Sequence, residues 1–249
     1  MIIDNPSPRH IPALRHLWKQ AFGDSDRFLD LFFESGFAFD RCRCVFREGE
    51  PVAAVYLFDG TWNGEKVAYL YALAVDKGHQ KQGLSRLLLA DTHGQLQQSG
   101  YAGCLMEPAT EGLQEYYERL GYRLFGGRDE KKYCRSETAL EITQLGALAY
   151  ESRRKVLLPE GGICQAGAMT EFLQSQAVLY GGEGFVAAIS REERKVIEFL
   201  GDTKQIPDFL CALRWDCAAV RTPGSHPKTM YLDFAGRDAL PTYFGLPMD

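Results

Sequence analysis

Between Leu73 and Arg86 the chain reads Leu-Ala-Val-Asp-Lys-Gly-His-Gln-Lys-Gln-Gly-Leu-Ser-Arg, an apolar strand that turns through glycines directly into an amphipathic helix. The helix is marked by Leu84, Leu87, Leu88 and Leu96, which repeat at helical spacing. A junction of this kind requires a strand and a helix in one packed layer arrangement, so the chain is expected to be α/β. The first N–H groups of a helix have no intrahelical partner and lie at the positive end of its dipole. The backbone of Gln80, Lys81, Gln82, Gly83, Leu84, Ser85 and Arg86 therefore suits an anion, with Gly83 and Ser85 small enough to admit an oxygen, and a pyrophosphate fits such a cradle. An ordinary tight strand-to-helix turn explains the spacing equally well.

The elements upstream narrow the choice. Ile11, Leu14, Leu17, Trp18, Ala21 and Phe22 predict a first helix stopped by Gly23, and a second helix is expected over 26–35. Residues 43–48, the apolar run 52–58 and residues 66–75 predict three strands. Asn63-Gly64 forms a hairpin turn between the last two, because both residues tolerate positive φ. The result is an antiparallel meander. Gly78-x-x-x-x-Gly83-Leu84-Ser85 resembles a phosphate-binding loop, but Leu84 occupies the place of the lysine that reaches the β- and γ-phosphates. An antiparallel meander is also the wrong setting for that loop, so nucleotide hydrolysis is disfavoured. Downstream, a strand is expected over 101–106 and a helix over about 113–120, closed by Gly121.

The last hundred residues predict helices over 140–158 and 169–179, followed by strands. Gly-Glu-Pro-Val-Ala-Ala-Val at 49–55 resembles Gly-Glu-Gly-Phe-Val-Ala-Ala-Ile at 182–189, and each is followed by a charged turn and a further strand. The second half thus reads as a shortened copy of the first, with Thr203-Lys204-Gln205-Ile206-Pro207 where a cradle would stand. Proline removes an N–H donor and Ile206 crowds the approach. Two domains are expected, 1–137 and 138–249.

A net charge of -5 over 249 residues, with no run of Lys and Arg, argues against nucleic acid as a partner. No apolar run reaches the roughly 20 residues that span a bilayer, and no basic-then-apolar leader opens the chain, so a soluble cytoplasmic protein is expected. The seven Cys include no Cys-x-x-Cys pair and the five His never fall at metal-ligand spacing. Reduced thiols and no metal are the expectations.

Gln80-x-x-Gly83-x-Ser85 resembles the coenzyme motif of the GCN5-related N-acetyltransferases, the GNAT superfamily, and Tyr117-Glu118-Arg119-Leu120-Gly121-Tyr122 is similar to that family's second motif. Ser85 departs from the usual Gly or Ala but is also small. The order of elements to about residue 135 resembles the family, and the two-part chain resembles its tandem subgroup, whose second domain is degenerate. The resemblance implies a mixed, mainly antiparallel sheet flanked by helices, with a smaller GNAT-like domain after it. It implies acetyl-CoA as cosubstrate, its pantetheine arm pairing with the strand at Leu73, Ala74 and Val75 and its pyrophosphate on the amides of 80–86. A primary amine of a small molecule or peptide is the implied acceptor, attacking the thioester directly. Tyr117 would be the acid that serves the departing thiolate, unless it is only a core aromatic. Glu107 is the candidate base, with Asp59, Glu65 and the terminal carboxylate on Asp249 as other options. A noncatalytic acyl-CoA-binding or regulatory module is the alternative, another acyl or aminoacyl donor is a further one, and a homo-oligomer is left open.

Overall fold

The structure, a computed structural model, describes residues 1–246 and divides into two compact units. The first comprises residues 1–60, 65–106 and 232–237, and the second residues 61–64, 107–231 and 238 onward. Asp249 lies outside the described residues.

The first unit contains β1 (Ile2–Asp4), α1 (Ile11–Phe22), α2 (Asp26–Ser35), β2 (Cys42–Arg47), β3 (Glu50–Trp62), β4 (Glu65–Val75), α3 (Leu84–Gln98) and β5 (Gly103–Met106). Helix α1 stops where Gly23 adopts the left-handed conformation, φ 79°, and α2 starts where the Ser25 hydroxyl accepts from Phe28 N–H at 3.2 Å. Strands β1, β2 and β3 pair antiparallel, through Ile3↔Val45 and Cys44↔Ala54. The turn to β4 carries φ 50° at Asn63 and 82° at Gly64, as the sequence predicted. β4 and β5 run parallel, with Ala68 opposite Cys104. Aromatic rings fasten α1 and α2 to this sheet: Trp18 lies 4.5 Å from Phe32 and 5.0 Å from Tyr56, and all three are buried. Burying such rings contributes on the order of 2 to 3 kcal/mol each.

The second unit contains α4 (Glu111–Glu118), β6 (Arg123–Phe125), β7 (Arg128–Cys134), β8 (Thr143–Leu145), α5 (Ala147–Leu157), β9 (Cys164–Gln165), α6 (Ala168–Gln176), β10 (Ala177–Gly182), β11 (Phe185–Ser190), β12 (Lys195–Leu200), α7 (Ile206–Ala212), β13 (Cys217–Pro223) and the start of β14 (Thr229–Asp233). Its main sheet has the order β7-β13-β12-β11-β10-β8, all antiparallel except β12 with β13, while β14 pairs antiparallel with β6. Phe185, Phe199 and Phe209 form its aromatic core, with Phe185 stacked on Phe199 at 5.3 Å. Both sheets are mixed and mainly antiparallel, flanked by helices.

The repeat is structural as well as sequential. β10, β11 and β12 form a meander, a one-turn 3-10 helix follows over Thr203–Gln205, and α7 leads to β13, which is parallel to β12. The same order holds for β2, β3, β4, the 3-10 turn Lys77–His79, α3 and β5. Even the caps correspond: Asp76 accepts from Gly78 N–H at 2.9 Å and Asp202 from Lys204 N–H at 3.0 Å.

Three expectations need correction. The helix expected over 140–158 begins only at Ala147, because Thr143 and Leu145 pair with Gly181 and Leu179 as β8. Apolar spacing in 140–145 was compatible with a helix, and pairing to β10 overrides it. The helix expected over 169–179 ends at Gln176, and 177–179 open β10. Finally, the thiols are not all reduced: Cys134 and Cys217 form a disulfide. They sit directly opposite on β7 and β13, a register between residues 83 apart in sequence. The strand pair Cys42 and Cys44 remains as free, buried thiols.

Candidate functional site

In the first unit, the register of β4 with β5 stops at Tyr69↔Leu105, so Ala72, Leu73, Ala74 and Val75 continue beyond their parallel neighbour. Ala72 is in the left-handed region at φ 51°, which kinks the strand at the point where it leaves that pairing. An extended ligand with amide groups finds there a strand edge to add to.

The chain then enters the loop that precedes α3. Asp76 ties it at both ends, accepting from Gly78 N–H at 2.9 Å and lying 2.8 Å from His79 Nδ1, and the His79 contact holds the Asp76 carboxyl below its ordinary range. Gln20 of α1 accepts from Lys77 N–H at 2.8 Å, a support that no spacing in the sequence revealed. Lys81 and Gly83 both turn left-handed, at φ 60° and 75°. Gly83 is the N-cap of α3 and offers no capping side chain, so helix bonding starts only with Leu87 N–H donating to Gly83 O at 3.0 Å. No atom lies within 4 Å of where a Gly83 side chain would begin. The turn is thus open toward its N–H groups. Lys77, Lys81 and Arg86 are exposed and, among the described residues, form no ion pair, which adds uncommitted positive charge around the helix start. In the copy, α7 begins at Ile206 immediately after the 3-10 turn, with Pro207 in its first turn, so the loop equivalent to Gln80 to Gly83 is missing.

Tyr117 lies in α4 of the second unit. It is buried, with rings of Tyr116 at 5.2 Å and Tyr122 at 5.9 Å, and among the described residues its hydroxyl has no hydrogen-bond partner. Desolvation, helped by Tyr116, pushes its pKa up to about 12. Burial likewise holds the Tyr56, Tyr150 and Tyr243 phenols well above the usual range. A phenol with a raised folded-state pKa contributes stability that is complete below its unfolded value near 10 and is lost as pH rises through the folded value. Unfolding by urea followed from pH 8 to 12 should therefore show a phenol contribution that is constant up to about pH 10 and falls above it, by about 2 kcal/mol at pH 12 from Tyr117 alone. A flat profile to pH 12 would contradict this burial.

Asp59, Glu65 and Glu107, three of the candidate bases, each have an arginine partner. Asp59 pairs with Arg41 at 2.6 Å and accepts from Tyr101 OH at 2.5 Å, Glu65 pairs with Arg237 at 2.7 Å, and Glu107 pairs with the buried Arg128 and accepts from Thr229 Oγ1 at 3.3 Å. Arg237 and Glu65 are 172 residues apart, so only the fold could disclose their pairing. Among the described residues no group of three or more His, Cys, Asp or Glu is placed to hold a metal, and no helix is long and apolar enough to cross a membrane.

Residues 11–122 match the acetyltransferase (GNAT) family. No curated protein matches the chain. Among solved structures the chain is similar to a GCN5-related N-acetyltransferase from Kribbella flavida, with TM-score 0.70 and 15% identity over 93% of this chain and 71% of that one. A GCN5-related N-acetyltransferase from Anabaena variabilis gives TM-score 0.73 and 13% identity, over 92% and 72%. A putative acetyltransferase from Pyrococcus horikoshii gives TM-score 0.65 and 14% identity, over 93% and 89%. At such identities the likeness establishes a shared fold. The matched segment starts with α1 and ends just after α4, so it includes the kinked strand, the open turn before α3 and Tyr117. The chain therefore carries, over residues 11–122, an acetyltransferase domain of the GNAT family.

Proposed function

We propose that the protein is a cytoplasmic N-acetyltransferase that uses acetyl-CoA as cosubstrate and acetylates a primary amine of a small molecule or peptide. The observation that carries this reading is the juxtaposition in one unit of the strand segment Ala72 to Val75, extending past β5, with the open, cation-flanked turn that starts α3. The strand would pair with the amides of the pantetheine arm, and the amides of Gln80 to Arg86 would receive the pyrophosphate.

In the reaction, the neutral amine nitrogen bonds to the thioester carbonyl carbon, the C–S bond breaks, and the amine proton passes to a base or water. Tyr117 is the proposed donor to the departing sulfur. At a pKa of about 12 it remains protonated throughout the working range. Full transfer from so weak an acid to a thiolate with reference pKa near 8.5 is uphill, so it acts chiefly by hydrogen bonding to the charge that develops on sulfur. Glu107 is the proposed base. It would take the proton directly or through a water. The division into 1–137 and 138–249 is kept as a reading of the chain's duplication, with the second copy shaping the acceptor site or a subunit interface.

The test has two parts. Calorimetry should give one CoA per chain, because the copy lacks its loop, and two equivalents would overturn the assignment of a single cradle. Release of free thiol from acetyl-CoA, measured against a library of primary amines, should identify an acceptor. CoA binding with no turnover on any amine would instead favour a noncatalytic acyl-CoA-binding module.

A further inference from the structure

The Cys134–Cys217 disulfide stands at one end of the second unit's main sheet and has no part in the proposed acetyl transfer. Cys134 is the last residue of β7 and Cys217 the first of β13, and the two are directly opposite in an antiparallel pairing that runs over seven residue pairs. β7 is the outermost strand of that sheet, and β13 meets β12 only further along, at Ala219 and Val220. The cross-linked end is therefore open to solvent: Cys134 is exposed and Cys217 half-buried, whereas Cys42, Cys44 and Cys104 are buried free thiols. Lys132 lies two residues before Cys134 on the same face of β7, is exposed and, among the described residues, forms no ion pair. A cation beside a sulfur favours both an attacking and a departing thiolate. Exposed disulfides are the ones that exchange with small thiols, and disulfides that form in the cytoplasm are usually transient.

We propose that Cys134 and Cys217 are a reversible thiol–disulfide couple, a redox modification site that exchanges with a small cytoplasmic thiol of the glutathione class and sets the stability of the second unit. In the reducing direction a glutathione thiolate attacks Cys134 Sγ, the bond between the two cysteines breaks, and Cys217 leaves as a thiolate that takes a proton. A second glutathione attacks the glutathione sulfur of the mixed disulfide and releases Cys134 as a thiol. Two glutathione thiols are thus oxidised to one disulfide while one protein disulfide is reduced to two thiols. The reverse sequence closes the bridge again, and the β7–β13 register keeps the two sulfurs opposite each other. One further backbone bond, from Arg135 N–H to Asp216 O at 2.9 Å, lies beyond the bridge and holds the strand ends together without it. The bridge joins residues 83 positions apart and encloses β8 to α7, so closing it removes conformational freedom from the unfolded chain. The coenzyme cradle lies in the first unit, outside that loop, so the proposal does not depend on the acetyltransferase reading.

The experiment equilibrates the full chain in reduced and oxidised glutathione at a series of ratios, starting once from the bridged and once from the reduced protein. Alkylation followed by peptide mass spectrometry reads the fraction of Cys134 joined to Cys217. That fraction should pass from nearly complete to nearly none as the reduced form gains, and the two starting states should converge. The melting temperature should follow it and be higher by about 5 to 15 °C in the bridged state. In Cys134→Ser and in Cys217→Ser the melting temperature should no longer respond to the ratio, while Cys211→Ser, at a half-buried thiol outside the bridge, should respond as wild type does. The wild-type measurement stands alone if a serine variant folds poorly. CoA binding should be the same in both redox states, so failure here and failure of the acetyltransferase reading are told apart. The proposal is overturned if the bridge stays closed in millimolar reduced glutathione alone, which would make it a permanent staple, or if both cysteines stay free in oxidised glutathione. It is also overturned if the redox-dependent melting shift persists without Cys134.

Discussion

Tyr117→Phe is expected to lower kcat by about 10²- to 10³-fold with an identified amine, the usual cost of deleting one donor to charge that develops in a transition state. The change removes a hydroxyl and keeps the ring against Tyr116 and Tyr122. Because that hydroxyl has no partner among the described residues, its loss leaves nothing unpaired and the melting temperature should move little. The pH profile gives a second reading: with a pKa near 12 the phenol should contribute no fall in rate up to about pH 10. Tyr116→Phe serves as the control and should retain close to wild-type turnover. A normal rate for Tyr117→Phe would make the residue a core aromatic and leave the sulfur to another donor or to water.

Gly83→Val should abolish the thermal stabilisation by CoA. A ligand at about one hundred times its Kd stabilises the folded state by about 2.7 kcal/mol, and that increment is what should disappear. Two effects act together. No atom lies within 4 Å of where a side chain would begin, so valine would project into the region proposed for the anion instead of into the core. At φ 75° a β-branched residue is also strained, which would turn the flanking N–H groups away from a common centre. The unliganded protein should lose only about 1 to 2 kcal/mol, so loss of binding and loss of fold are distinguishable. CoA binding of wild-type strength in this variant would place the cradle elsewhere.

The parts legible in the sequence were those governed by short-range rules. Gly23, Asn63-Gly64 and Gly83 each occupy positive φ, and their residue types mark a stop, a hairpin turn and a helix start respectively. The helical stripe after Gly83 marks α3 and the run 66–75 marks β4 to within a residue, while the apolar run 52–58 marks only the middle of β3, which extends over Glu50–Trp62. Short or polar strands were missed. β1 has three residues, and β7 reads Arg-Asp-Glu-Lys-Lys-Tyr-Cys, a run with no apolar alternation that is a strand only because β13 pairs along its whole length. In 140–145, local preference pointed to helix while the edge of β10 was available, and the pairing prevailed.

The same contrast holds for chemistry. The sequence by itself determined that a strand must turn through small residues into a helix at Gly83 and that the second copy would lack that turn, because backbone conformation and helix-end geometry depend on residues adjacent in the chain. Only the tertiary structure decided that β4 outruns β5, that Gln20 braces the loop before α3, that burial raises the Tyr117 phenol to about 12, and that Asp59, Glu65 and Glu107 are each held by an arginine. It also closed Cys134 onto Cys217. Burial, ion pairing and cross-links arise between residues that are tens to hundreds of positions apart, and a carboxylate reads the same in a sequence whether it faces water or a guanidinium.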